Sequence, residues 1–398
     1  MTDRLYYTDP YCRSFHATVT RSLEHEGRPA VTLDRTAFYP TSGGQPFDTG
    51  ELGAVQVVET IDADAVIHVV SAPLPAGSTV AGEINWTRRF DHMQQHTGQH
   101  LLSAAFDRLF ENPTVSFHMG ADVSTIDVAR EMSPGEIERA MDTANEVIWE
   151  NRSISIRFVS WEEAAKLPLR KDPAREGILR VIDVAGFDLS ACGGTHVNRT
   201  GGVGGVVVLA SERHRGGARL TFVCGGRAIR TLRSYRDAIS GSVRVLSVLP
   251  PDLPSAVERL QVEARDLQKQ VKELRVELAG HEGRRLAGSG TDVNGARVVV
   301  QRVAGWDPAG LKALAAAVVA EGKACTALLS AESPAAIVVA RSPDVPVDAR
   351  MLLQQLMEKF GGRGGGKPDF AQGGGFNAPP EQVESAARDL IEAALRRR

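Results

Sequence analysis

The stretch FDHMQQHTGQHLL, residues 90–102, carries histidines at 92, 96 and 100. On a helix, four-residue spacing stacks all three on one face. A second stretch, LSACGGTHV, sets Cys192 four residues before His196. Either spacing alone is weak evidence of a site. Combined, a histidine pair on the helix, a thiolate and a further imidazole are the four donors that zinc prefers. Gly193 and Gly194 let the backbone turn tightly enough to bring Cys192 and His196 to one point. Periodicity does not choose which two of the three helical histidines take part.

The chemistry open to such a site depends on its coordination. A structural zinc is one reading, although structural sites usually use more cysteines and close all four positions. A histidine-rich site more often keeps a position open to polarise a carbonyl or activate water. The motif is not H-E-x-x-H, because Gln99 precedes His100, and this removes the metalloprotease reading. A water nucleophile would need another partner, and His118, in VSFHMGADVSTID, is the candidate base.

These residues need elements to position them. Residues 1–87 alternate apolar and polar between breaks at Gly, Pro and Asp, which predicts short strands and a small β-barrel. From Arg88, helical spacing of Phe90, Met93, Leu101, Leu102, Ala105 and Leu109 predicts a helix that Asn112-Pro113 ends. A second helix opens at SPGE, and SISIRFVS and GILRVIDVAGF read as strands. After the proline-rich SVLPPDLPS, Val257, Leu260, Ala264, Leu267, Val271, Leu274 and Leu278 follow a 3-4 alternation. That is a heptad seam, expected as a coiled-coil arm that either dimerises or packs back on its own chain. The remainder alternates strands and helices around the glycine-rich GGRGGGKPDFAQGGG. The expected architecture is multidomain α+β. It comprises a barrel over 1–87, a zinc-containing α/β domain over 88–248, a helical arm over 249–288 and a C-terminal α/β domain over 289–398.

HTGQHLL, CGGTH and the turn FYPTSGGQPFDTG together resemble the editing region of alanyl-tRNA synthetase and its free-standing relatives, the alanyl-tRNA editing (AlaX) proteins. GGRGGGKPDFAQGGG resembles the DHHA1 domain that ends the synthetase. The motifs occur in the family's order, with no aminoacylation domain ahead of them, like the long free-standing form. The resemblance implies a deacylase that hydrolyses the ester of serine or glycine on alanine tRNA. It implies one zinc ion on His96, His100, Cys192 and His196, which leaves His92 structural, tRNA-facing or behind the ligands. It also implies that the turn Ser42, Gly43, Gly44 and Gln45 lies near the site, with Ser116 and His118 as pocket candidates.

In that context, the seven arginines against one acid in residues 211–236 predict phosphate contacts, with Arg213, Arg215 and Arg219 the first candidates. Arg363, Gly364, Gly365, Gly366 and Lys367, with the tail Arg396, Arg397 and Arg398, form a second expected tRNA surface. The net charge of −3 argues against a generic polyanion binder. Scattered cysteines at 12, 192, 224 and 325, no apolar run of about 20 residues and no signal peptide lead to a cytoplasmic expectation, with a homodimer through the arm or the C-terminal domain. Two rivals are a DHH-type phosphoesterase, whose metal pair needs an aspartate cluster that the N-terminal half lacks, and a tRNA-binding protein with a structural zinc and no deacylase activity.

Overall fold

The period-two alternation of the first residues closes into a six-stranded barrel. Around it run Ser14–His25, Arg28–Leu33, Ile67–Val70, Val55–Ile61, Gly50–Leu52 and Thr79–Ile84, and the last pairs back with the first. Inward positions such as Phe15, Val19, Val31, Leu52, Val57 and Val80 fill its core. The computed structural model describes residues 2–171, 177–331 and 335–396. The chain folds as two units, Met1–Ser242 and Val243–Arg398.

In the first unit, Trp86–Phe110 is the central helix. Asn85 caps it by accepting from the Arg88 N–H, and Glu111 ends it in the left-handed conformation ahead of Pro113. From His92 to Phe106 nearly every position is buried, so the helix is enclosed rather than amphipathic. Gly98 is required there, because a Cβ would overlap the Cys224 thiol. An antiparallel sheet packs on the helix in the order Val206–His214, Gly217–Cys224, Ser124–Val128, Thr114–Met119. A separate antiparallel sheet holds Ile154–Val159, Leu179–Val184 and Asp188–Ala191 and leads directly into CGGTH. Arg89 binds barrel to helix: fully buried, it pairs with Asp48 and donates to the carbonyls of Pro10 and Ala37.

The second unit is a six-stranded mixed sheet in the order Thr291–Val293, Ala296–Val303, Ala324–Ser330, Ala336–Arg341, Phe370–Gly374, Arg363–Gly366. Pro308–Ala320 packs on one cluster of its apolar residues, and Ala349–Phe360 and Pro380–Arg396 pack on another. The glycine-rich stretch forms the last two strands as a hairpin. The seam residues lie on one helix, Leu253–Ser289. From Val257 to Leu278 its seam side chains are exposed, and packing on Pro308–Ala320 starts at Ala279 and continues at Gly283 and Leu286. The apolar packing of the arm on Pro308–Ala320 is thus confined, among the described residues, to its C-terminal end. Among the described residues no helix is long and apolar enough to cross a membrane.

Candidate metal centre

One turn of the central helix separates His96 from His100, and their rings lie 5.4 Å apart. The CGGTH turn brings Cys192 and His196 to the same place. Cys192 Sγ is 3.3 Å from His96 Nε2 and 3.4 Å from His196 Nε2. The ligand atoms of His96, His100, Cys192 and His196 all lie within 4.8 Å of one another. Zinc bonds of about 2.0–2.3 Å in a tetrahedron require donors roughly 3.3–3.8 Å apart. The two Cys192–imidazole separations match that tetrahedron, and donors within 4.8 Å of one another could close on a single divalent ion.

Each imidazole is also oriented from behind. His96 Nδ1 donates to Gln45 Oε1 at 2.8 Å, His100 Nδ1 donates to Asp188 Oδ2 at 3.0 Å, and His196 Nδ1 shares a hydrogen bond with Thr97 Oγ1 at 3.2 Å. The Gln45 and Asp188 oxygens accept only, which fixes the tautomers of His96 and His100 and leaves their Nε2 free for a metal, and Thr97 orients the His196 ring. Asp188 is itself held by Arg170 at 2.7 Å and by Ser190. Gln45 also accepts from Thr195 N and donates to Thr195 Oγ1, which closes a ring of bonds around the CGGTH turn. Gly194 is obligatory, since a Cβ there would overlap the His96 ring.

The electrostatics suit a cation. Burial acts to raise the Cys192 thiol, but the His96, His196 and His100 imidazoles pull it well below its ordinary value. Burial acts to lower His100, yet the Cys192 thiolate and Asp188 lift it to about 9. Burial pushes His196 down to about 3. The imidazoles thus favour the thiolate form of Cys192, the form in which a cysteine binds a divalent ion.

Residues 295–397 match the DHHA1 domain, and residues 179–220 match the threonyl and alanyl tRNA synthetase second additional domain. The chain is 31% identical over 409 residues to the alanyl-tRNA editing protein AlaX-L of Pyrococcus horikoshii, covering 99% of this chain and 100% of that protein. It belongs to the AlaX-L family of alanyl-tRNA editing proteins. It is also 34% identical to the alanine–tRNA ligase of Natronomonas pharaonis over 99% of this chain, and 37% identical to that of Halobacterium salinarum over 98%. It spans 44% of each of these ligases. In this AlaX-L relative, the match over 179–220 contains Asp188, Cys192 and His196, whereas the histidine helix lies upstream of it.

The remaining residues singled out from the sequence fall in different places. Ser42 to Gln45 form a tight turn at the centre, with reciprocal Ser42–Gln45 backbone bonds of 3.1 and 2.9 Å. Gly44, at φ +81°, presses on the Phe117 carbonyl, and its own carbonyl accepts from Met119 N. On the Thr114–Met119 strand it is Phe117 that faces the cluster, 5.4 Å from the His96 ring. Alternation turns Ser116 and His118 to the opposite face. There Ser116 donates to Asp127 at 2.5 Å, and His118 is exposed. The expectation that His118 acts as base, with Ser116 in the pocket, is corrected on this geometry. His92 stays out of the cluster; it is buried with Nδ1 unpartnered, and burial pushes it down to about 3.

Among the expected phosphate contacts, Arg219 is committed to Asp127 by bonds of 2.7 and 2.9 Å, and Arg213 pairs with Glu131. Arg215 sits exposed at a hairpin tip with φ +47°. Arg363, Gly364, Gly365, Gly366 and Lys367 are all exposed, while Arg396 pairs with Glu392. Arg397 and Arg398 lie outside the described residues. Asp91, the acid of the DHM triplet, is held by Arg227 and Arg230. Sequence reasoning passed over Thr97, Asp188 and Phe117, because nothing local marks them until the fold sets them against the histidines.

Proposed function

We propose that this chain is a deacylase acting in trans on mischarged alanine tRNA, hydrolysing the ester of serine or glycine. The observation that carries the reading is the set of three outward-anchored imidazoles and one thiolate converging in a chain of the AlaX-L family. An alanine-sized pocket cannot exclude glycine by size and rejects an added hydroxyl only weakly, so fidelity calls for a second, hydrolytic site.

His96, His100, Cys192 and His196 would hold one zinc ion. When bound, zinc would polarise the ester carbonyl or acidify a water. Gln45, Asp188 and Thr97 keep the three rings aimed, and the Ser42–Gln45 turn with Phe117 walls the side that an aminoacyl end would approach. Arg215, Arg363 and Lys367 suit the phosphates of the tRNA, and the exposed Val257–Leu278 seam suits self-association. Such a protein would work in the cytoplasm, where aminoacylated tRNA is made and used.

A second reading draws on the same geometry. Four protein donors close a tetrahedron, which favours a zinc that holds the CGGTH turn on the helix without touching substrate. Deacylation of seryl- and glycyl-tRNA(Ala), with zinc and after chelation, separates the readings. Hydrolysis that chelation abolishes and zinc restores supports the first. A zinc-loaded chain that leaves both esters intact overturns it.

A further inference from the structure

Arg180 is buried, 8% exposed, and among the described residues it has no carboxylate partner. Its Nη2 is buried without a hydrogen bond. An unpaired buried cation is costly, and an apolar side chain of similar size would ordinarily be more stable there. The rest of the guanidinium is fully engaged. Nε donates to Tyr7 O at 2.9 Å, and Nη1 donates to both Cys192 O at 2.7 Å and Gly194 O at 2.8 Å. The Arg180 carbonyl in turn accepts from Cys192 N at 3.0 Å.

We propose that Arg180 is the positioning residue of the metal centre, fixing the Cys192–Gly193 and Gly194–Thr195 peptides of the CGGTH turn. The peptide plane makes the argument specific. The carbonyl of Gly194 and the N–H of Thr195 belong to one rigid unit, so holding Gly194 O aims Thr195 N at Gln45 Oε1, 3.1 Å away. That oxygen is the acceptor for His96 Nδ1. One guanidinium therefore sets the direction of the Cys192 ligand through its own peptide and of the His96 ligand through Gln45. A lysine could donate to both carbonyls but lacks the second nitrogen by which the rigid guanidinium also holds Tyr7 O.

The test uses the full-length chain stripped of metal and titrated with cobalt(II), reading affinity by chelator competition and the thiolate-to-cobalt charge-transfer band by absorbance. Wild type, Arg180→Met and Arg180→Lys are compared. The expected result is a loss of affinity on the order of 10–100-fold in R180M, with a shifted band, and an intermediate loss in R180K. Native affinity and a native band in R180M overturn the proposal. If R180M does not fold, R180K decides alone, and native behaviour there overturns it equally. The proposal rests on the metal reading of the cluster, and the two fail differently. A wild-type chain that takes up no cobalt sinks the metal reading, whereas normal wild-type uptake with unchanged variants sinks only the role of Arg180.

Discussion

Gln45 and His96 stand 51 residues apart in sequence and are joined by a 2.8 Å hydrogen bond that ties a turn of the barrel to a ligand of the candidate metal centre. The barrel is therefore part of the centre's construction. Gln45→Leu is expected to lower zinc or cobalt affinity on the order of 10–100-fold, because His96 loses the acceptor that fixes its tautomer. Gln45→Glu, which keeps an acceptor but cannot donate to Thr195, should fall between. Affinities equal to wild type in both variants would remove Gln45 from the centre.

The neighbouring glycines of CGGTH should respond oppositely to alanine. At Gly194 the new methyl would occupy the His96 ring, whereas at Gly193 the nearest atom is the Tyr7 hydroxyl at 3.8 Å. Gly194→Ala should abolish metal retention through gel filtration, and Gly193→Ala should retain it. Stoichiometric metal in Gly194→Ala would contradict the packing described.

Asp188→Asn should cost both metal affinity and stability. The carboxylate is 1% exposed and serves His100 and Arg170 together. Neutralising it leaves a mostly buried guanidinium without its counter-ion, a change worth about 3–5 kcal/mol in comparable buried pairs. Urea denaturation of the metal-free chain measures the loss. A second substitution, Arg170→Met, should recover part of it.

Acid should destabilise the barrel through His68. Burial holds His68 down to about 4 against the small opposing effect of its bond to the Val31 carbonyl. The unfolded chain takes up that proton first, near pH 6.5, so the contribution is complete above about 6.5 and is lost as pH falls toward 4. The expected slope is about 1.4 kcal/mol per pH unit from this group alone. Denaturant midpoints between pH 7 and pH 5 should show it, and His68→Gln should flatten the profile.

Arginines that look alike in sequence should separate in a binding experiment. Reversing Arg363 and Lys367 to glutamate should weaken tRNA binding and reduce the salt slope by about one for each phosphate no longer neutralised. Arg219→Ala should instead lower the melting temperature, since Arg219 is spent on Asp127. An unchanged salt slope in the double reversal would move the tRNA surface elsewhere.

Much of the fold was legible because it rests on local periodicity: the alternation that closes the barrel, the histidine helix and the long seam. Within the centre, each short-range pair could be read from spacing, since four residues on a helix or across a glycine turn fix the geometry. That the two pairs combine was read from their donor types, whereas the choice of His96 and His100 over His92 came only through resemblance, because it depends on side chains about a hundred residues apart meeting in the fold. Ser116 and His118 were misplaced for a simpler reason. On a strand, an error of one residue in phase selects the opposite face, and the residue between them, Phe117, is the one that meets His96. Asp188, Thr97 and Arg180 carry no local signal at all. The glycine-rich hairpin was hidden by its composition, which has low strand propensity and is held in register by the neighbouring Ala336–Arg341 strand.

That hairpin has a further consequence. Arg363–Gly366 is the outermost strand of its sheet, and an open edge is a template on which another chain can pair and aggregate. Glycine makes a poor template, since each incoming pairing would have to freeze the most mobile backbone available and would gain no side-chain packing in return. With Arg363 and Lys367 at its ends, the strand also repels a second copy of itself. The composition that leaves this edge bare thus also guards the chain against edge-to-edge self-assembly.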